Sequence, residues 1–300
     1  MPDAADIKTA MYIIPLPEGI KLGAYQLESV YSLDPYYCIY KAQDRKSGEG
    51  VLVQEFAPVS MVSREARKFD FAVVPGKEAA FAKMLERFLK FYSTAAELSH
   101  ASLGKVLGVY RVLGSGIAVH EMPPEGASLP EKMKDLAGMS SNRLEKKMML
   151  LLDAVSYLHE RNVLHGNISL NSICWDEARQ NMVIQGMFCL LERERDVQTT
   201  VVHDVNVAAP ETLLNGGAYD SRAEVYSLAS CFYFLMTGEP LIRGDQRFCS
   251  AHQTGLASDR HLQSRFSSGF LKSLDRALQV RREDRFASAS VWINELKKRV

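Results

Sequence analysis

The feature that most constrains this chain is a change of texture at Pro123-Pro124-Glu125-Gly126. Before it, apolar residues come in short alternating runs, the period of half-buried strands; after it they recur at helical spacing. Two prolines and a glycine continue neither kind of element. The segment therefore reads as a hinge between a strand-rich lobe and a helical one. Tyr25-Gln26-Leu27-Glu28 alternates, and Tyr37 to Ala42 resumes after Ser32-Leu33-Asp34-Pro35. Asp44 to Gly50 is a polar turn, and Val51 to Phe56 is a third strand. Val106 to Tyr110 and Ile117 to Glu121 make a hairpin joined by Gly114-Ser115-Gly116. Between these strands Phe81, Leu85, Phe88, Leu89 and Tyr92 line one face of a helix over 77–98.

Beyond the hinge, Ser140 or Ser141 caps a long helix carrying Leu144, Met148, Leu151, Leu152, Val155 and Leu158. Residues 163–191 return to short extended pieces. Residues 221–237 are apolar on almost every face, which predicts a centrally buried helix. Helices over 267–280 and 287–299 close the chain, and Lys297-Lys298-Arg299 suits the negative end of a helix dipole. The predicted class is α+β: a five-stranded antiparallel sheet with one main helix, then a mainly helical lobe. The predicted divisions are an N-terminal extension over 1–24, a small lobe over 25–122 and a larger one over 123–300.

Thirty-six basic side chains balance 36 acidic ones. That balance argues against a nucleic-acid or anionic-membrane partner, which needs a basic excess to release counterions. Cys38, Cys174, Cys189, Cys231 and Cys249 form no C-x-x-C pair, so they read as idle thiols in a reducing compartment. No run approaches the ~18 apolar residues of a membrane helix. The N-terminus opens with acids and its apolar run breaks at Pro15, unlike a signal peptide. A cytoplasmic protein is expected.

Several stretches in order resemble a protein kinase domain of the bacterial serine/threonine type, over residues 16–298. Leu16-Pro17-Glu18-Gly19 and Tyr25-x-Leu27 resemble the entry into its first strand. Val51 to Pro58 resembles V-A-I-K-E-Y-x-P, and Leu98-Ser99-His100 with Leu107 to Tyr110 resembles its strand 4 region. Tyr157 to His165 resembles the run into the catalytic loop. Ala209-Pro210-Glu211 matches A-P-E, and Leu278 to Arg285 resembles the stretch that supplies an arginine partner for that glutamate.

The resemblance implies a bilobal kinase-like fold, and it also locates what phosphoryl transfer would need. The glycines of the phosphate-covering loop fall at Ser32, Asp34 and Tyr37; Asp34 would repel phosphate and Pro35 removes a donor. The phosphate-binding lysine falls at Gln54 and its glutamate partner at Phe91. Leu52 replaces the small alanine against the adenine ring; overfilling such a slot costs on the order of 1–3 kcal/mol. In His165-Gly166-Asn167-Ile168-Ser169-Leu170-Asn171-Ser172, Asn167 stands for the proton-accepting aspartate and Ser172 for the metal-binding asparagine. Asn171 is one position early. Gly166 replaces the arginine that would receive a phosphate on Thr199 or Thr200. Gln185-Gly186-Met187 stands for D-F-G, and an amide has no charge for Mg²⁺.

Scaffold positions persist in His165, Glu211 with Arg285, and Glu224 where the family has aspartate. The expectation is a pseudokinase: no catalytic residue, no cofactor, no metal, and a cleft occluded by Tyr37, Leu52 and His120. It would act as a regulatory or scaffold module for another protein. The alternative is an atypical transferase with a rearranged site, in which Lys41, sharing a strand face with Ile39, supplies the phosphate cation. A third reading is a remodelled cleft that binds a different small ligand. Asp176 and Glu177 read as a hairpin turn, His120 as a partly buried polar residue, and Arg281 and Arg282 as solvated or partner-facing.

Overall fold

Alternation in the N-terminal third builds one curled antiparallel sheet in a computed structural model of the protein, which describes residues 13–65, 68–188, 204–213, 219–250 and 255–298. The chain divides into two compact units, with 100–104 belonging to the second and 105–122 to the first.

In the first unit, β1 (Lys21–Leu22), β2 (Tyr25–Leu33), β3 (Tyr37–Asp44) and β4 (Gly50–Phe56) run in succession. A separate short pair, β5 (Val62–Ser63) and β6 (Ala72–Val73), precedes α1 (Glu78–Ala96). β7 (Val106–Val112) and β8 (Ser115–Glu121) complete a sheet ordered β1-β2-β3-β4-β8-β7. The sheet has six strands rather than five. The additional one, β1, lies in the stretch read as an extension, and Ile13 and Leu16 beside it are buried. A two-residue strand is too short to show alternation. It pairs with β2 in a short hairpin, and the stretch before it is tied down by the Leu16 N–H donating to the Tyr40 hydroxyl (3.0 Å) and Arg64 donating to the Ile14 carbonyl (3.0 Å).

The β7–β8 turn is Leu113-Gly114, both at positive φ (49° and 74°), and not the 114–116 stretch. Two left-handed residues match the twist of a hairpin, and Ser115 already belongs to β8. The curl brings Tyr25 of β2 to within 6.1 Å of Tyr110 on the edge strand β7, ring centre to ring centre. The core of this unit is aromatic. Phe56 of β4 stacks on Phe81 and Phe88 of α1 (5.7 and 5.3 Å), and Phe88 tilts against Tyr92 (4.7 Å).

The second unit contains α2 (Leu129–Ala137), α3 (Ser141–His159), the hairpin β9 (Ile173–Asp176) and β10 (Asn181–Ile184), then α4 (Pro210–Leu213) and α5 (Ser221–Thr237). α6 (Gly244–Ser250), α7 (Arg260–Gln263), α8 (Ser268–Ala277) and α9 (Ala289–Lys297) follow. α2, which the sequence reading did not name, opens on a capping box in which the Glu131 carboxylate takes the Ser128 N–H (3.2 Å) and hydroxyl. α5 is the axis of the unit. Asp220 caps it by accepting from Arg222 and Ala223, and Gly238 ends it at φ 78°. Its Phe232 meets Phe270 of α8 and Trp292 of α9, and Trp292 stacks on Phe286 (5.7 Å). Each such side chain contributes roughly 1.5–3 kcal/mol on burial. Among the described residues no helix is long and apolar enough to cross a membrane. Cys189, Thr199, Thr200 and Arg299 lie outside the described residues.

Candidate functional site

In the first unit Gln54 is buried in the middle of β4, paired with Ile39 of β3 and Ala118 of β8. Its amide oxygen accepts from the Tyr92 hydroxyl of α1 (2.9 Å) and lies 2.9 Å from His120 Nε2 of β8. An amide oxygen can only accept, so His120 carries its proton on Nε2. His120 is also edge-on to Tyr92 (5.4 Å). The Gln54 amide nitrogen is buried without a partner among the described residues.

The residue that reaches Gln54 from α1 is therefore Tyr92, not Phe91. One residue turns a helix by about 100°, which leaves Phe91 half-buried and edge-on to Tyr92 (5.0 Å). Amide, phenol and imidazole together tie the helix to the sheet.

The same sheet face carries Lys41, Leu52 and His120 in one row, by the β3–β4–β8 register. Leu52 is buried and Lys41 half-buried. Tyr37 does not stand in an open loop: its ring enters the core of the unit, 6.1 Å from Phe56 and 6.0 Å from Phe88. The turn before it is closed by Asp34, whose carboxylate accepts from the Tyr36 and Tyr37 N–H groups (2.7 and 2.9 Å). Burial, opposed by those two bonds, pushes the Asp34 carboxyl up to about 6.

In the second unit His165 is fully buried, and burial pushes its imidazole down to about 4. It is neutral at pH 7, with Nδ1 accepting from the Asn167 N–H (3.3 Å) and Nε2 without a partner among the described residues. Gly166 adopts φ 78°, where a side chain costs roughly 1–2 kcal/mol. Its N–H donates to Glu224 of α5 (2.6 Å). Glu224 also accepts from the Tyr219 hydroxyl (3.0 Å) and from His159 Nε2 (2.9 Å). Burial alone would raise the Glu224 pKa; His159, His165 and the Gly166 N–H outweigh it and hold the carboxyl below its ordinary value.

The Asn167 amide donates to the Gly186 carbonyl (3.2 Å). The Ser172 hydroxyl accepts from the Ser169 N–H (2.9 Å) while the Ser169 hydroxyl accepts from the Ser172 N–H (3.1 Å). Asn171 is exposed. The Gln185 N–H donates to the Ser172 carbonyl (2.7 Å), and its side chain lies so close over Gly104 that a Cβ there would enter the amide. Asp176 accepts from the Arg179 N–H (2.9 Å) in the β9–β10 turn. Among the described residues no group of acidic, histidine or cysteine side chains could hold a metal ion.

Arg285 is buried and forks onto Glu211 through two bonds (2.7 and 2.8 Å). Its other donors reach the carbonyls of Gln279, Val280 and Arg222, and it lies over the Tyr226 ring (4.7 Å). Arg282, read as solvated or partner-facing, instead pairs with Asp220, because the turn before α9 lays it beside the α5 cap. Arg281 is exposed.

Two buried features escaped the sequence reading. Arg247 of α6 donates to the Tyr226 hydroxyl (2.8 Å), and Glu55 pairs with Arg64 while accepting from Tyr40 (2.9 Å). The Glu55 position, facing opposite to Gln54 on β4, was the one available signal.

The chain matches the protein kinase domain family over residues 55–296 and belongs to that family. It is similar to CBL-interacting protein kinase 21 of Oryza sativa subsp. japonica, 29% identical over 148 residues, covering 48% of this chain and 28% of that protein. It is also similar to the probable serine/threonine-protein kinase CE0033 of Corynebacterium efficiens, 25% identical over 175 residues, covering 56% and 26%. The chain spans about a quarter of the length of such curated relatives. Among solved structures, the apo form of PpkA-294 superposes with a TM-score of 0.70 at 20% identity, covering 94% of this chain and 99% of that one. The kinase domain of Mycobacterium tuberculosis PknI gives 0.58 at 16%, covering 96% and 100%. The fold is that of a protein kinase domain, α+β with an antiparallel sheet and a mainly helical second part.

Proposed function

We propose that this kinase-family chain is a pseudokinase, a non-catalytic protein-binding or regulatory module. One observation carries the reading. Where the family keeps its phosphate-binding lysine, its proton-accepting aspartate and its metal ligands, this chain has Gln54, Asn167, Ser172 and Gln185. Gln54, Asn167 and Ser172 are hydrogen-bonded to neighbours through their side chains, and Gln185 is packed over Gly104. Phosphoryl transfer depends almost entirely on positioned charge, and these neutral groups supply none. Tyr92 reinforces the reading, since it gives Gln54 a phenol rather than a carboxylate. The partner is another protein, in the cytoplasm, and balanced charge disfavours nucleic acid.

The test is a thermal-shift titration of the whole chain with ATP and Mg²⁺. No saturable shift is expected; a rise of several degrees rejects the reading. The second reading, an atypical transferase, draws on Lys41, which shares its sheet row with Leu52 and His120. It predicts radiolabel transfer from ATP that Lys41→Met abolishes.

A further inference from the structure

Helix α3 of the second unit buries one face and presents another to solvent. Its buried residues Leu144, Met148, Leu151 and Val155 recur at the helical period. On the other side Arg143, Lys146, Lys147 and Leu150 fall at i, i+3, i+4 and i+7, within about 100° of arc. Arg143, Lys146 and Leu150 are exposed and Lys147 is half-buried. Cations at these spacings repel one another. Among the described residues no carboxylate pairs with any of the three. Lys147 donates to the Gln180 carbonyl (2.6 Å) and lies over the Trp175 ring (5.9 Å). Burial, then the charge of Arg143, lowers its pKa, the direction of an ammonium without a counter-charge.

A hollow flanks this ridge on each side. One, of about 240 Å³, is lined by Arg143 with Leu136, Met139 and Trp175. The other, of about 560 Å³, is lined by Lys146 with Met149, Leu150 and Arg265. The acids that line these hollows are already engaged. Asp135 and Glu177 share Lys132 (3.1 and 3.9 Å), and Glu145 accepts from the Ser267 N–H and hydroxyl (3.1 and 2.7 Å). Asp153, further along α3, meets His100 and Lys297 (3.2 and 3.9 Å). The surface is thus a basic ridge between two partly apolar hollows. We infer that this face of α3 docks an acidic segment of a partner protein, laid across the helix with carboxylates on Arg143, Lys146 and Lys147 and apolar side chains in the hollows. Charge complementarity selects the acids. The hollows select a peptide, because lipid head groups or a sugar–phosphate chain would meet the cations and leave the apolar linings uncovered.

The inference rests on the reading of the chain as a protein-binding module and names the kind of partner. A phage library of random 15-residue peptides is panned on the whole chain. The enriched peptides should interleave Asp or Glu with Leu, Met or aromatic residues. On binding they should shift the indole N–H resonance of Trp175 and leave that of Trp292, buried under α5, in place. The double variant Arg143→Glu, Lys146→Glu should weaken them about tenfold or more. Both positions are exposed, and a glutamate at 143 stands four residues before Lys147, a favourable pairing, so the variant should melt like wild type. Leu150→Ser should weaken the same peptides without touching a charge. Selection of nothing, selection without acidic bias, binding that the double variant retains, or an unmoved Trp175 overturns the inference. So does binding of anionic-lipid vesicles or polyuridylate through the same cations in place of peptide. No nucleotide enters the experiment. A chain that binds ATP and Mg²⁺ yet selects these peptides loses the non-catalytic reading alone, and one that ignores nucleotide and selects nothing loses only this inference.

Discussion

Replacing Glu224 by Gln tests the scaffold of the second unit at its most loaded point. Three donors converge on the carboxylate: Gly166 N–H at 2.6 Å, the Tyr219 hydroxyl at 3.0 Å and His159 Nε2 at 2.9 Å. A glutamine offers one acceptor oxygen, and its NH₂ must then face a donor. His159 cannot relieve the clash by moving its proton, because its Nδ1 accepts from the Ala289 N–H at the start of α9 (3.0 Å). The loss of one charge-assisted bond costs about 1.5–3 kcal/mol, and a stranded buried donor adds about 1–3. The sum, roughly 3–5 kcal/mol, matches what removing one partner of a buried ionic pair costs.

Thermal unfolding at neutral pH should show the midpoint falling by roughly 6–20 °C for a unit of this size. Glu224→Asp, which keeps the charge but withdraws it by one methylene, should recover part of that loss. The deficit has a defined pH dependence. The Glu224 pKa is depressed in the folded state, so its contribution is present above the ordinary carboxylate value of about 4.3 and disappears as pH falls through the lower folded value. Wild type and variant should converge in acid. A Glu224→Gln chain within about 1 kcal/mol of wild type at pH 7 would refute the claim that this carboxylate holds the loop.

Gln54→Lys should destabilise the first unit by about 3–5 kcal/mol, because the ammonium would face Tyr92 and His120 with no carboxylate in that network; a Mg²⁺–ATP midpoint shift in this variant would count against the non-catalytic reading. Arg285→Lys should cost about 2–4 kcal/mol in urea denaturation, since one ammonium cannot fork onto Glu211 and still reach three carbonyls. His165 has its folded pKa lowered to about 4, so stability should fall by about 3 kcal/mol on acidification from about pH 6.5 to 4, a slope that His165→Asn removes. Asp34 runs the opposite way. Its raised pKa favours folding below about pH 4, and that advantage is lost as pH rises through about 6, so Asp34→Asn should be at least as stable as wild type at pH 7. Gly104→Ala should displace the Gln185 side chain, visible as a shift of its amide resonances and a lowered midpoint.

The long helices were legible because their signals are local. Helical periodicity predicted a helix over 77–98, where α1 spans 78–96, and the apolar run predicted the helix over 221–237 that α5 forms. The A-P-E match and its arginine could be named as a pair from motif order alone, and the structure brings Glu211 and Arg285 together. Short elements failed for the converse reason. β1 has two residues, and the Leu113-Gly114 turn hides beside a more conspicuous Gly114-Ser115-Gly116. Near the candidate site, the identities of Gln54, Asn167, Ser172 and Gln185 are carried in full by the sequence. Their partners are not. Tyr92 rather than Phe91 reaches Gln54, because which face of a helix meets a sheet depends on how the whole aromatic stack settles.

The sequence by itself therefore determined which side chains stand at these positions, since a side chain's chemistry is a property of the residue. It also determined the order of the longer strands and helices, since periodicity is a property of neighbours along the chain. Only the tertiary structure decided what these and other side chains touch. Asp34 turns onto two amides, Tyr37 enters the core, Arg282 joins the α5 cap, and Glu55 and Arg64 meet behind the sheet. Hydrogen bonds and ion pairs of this kind join residues that folding brings together, and their geometry exists only once the core has packed.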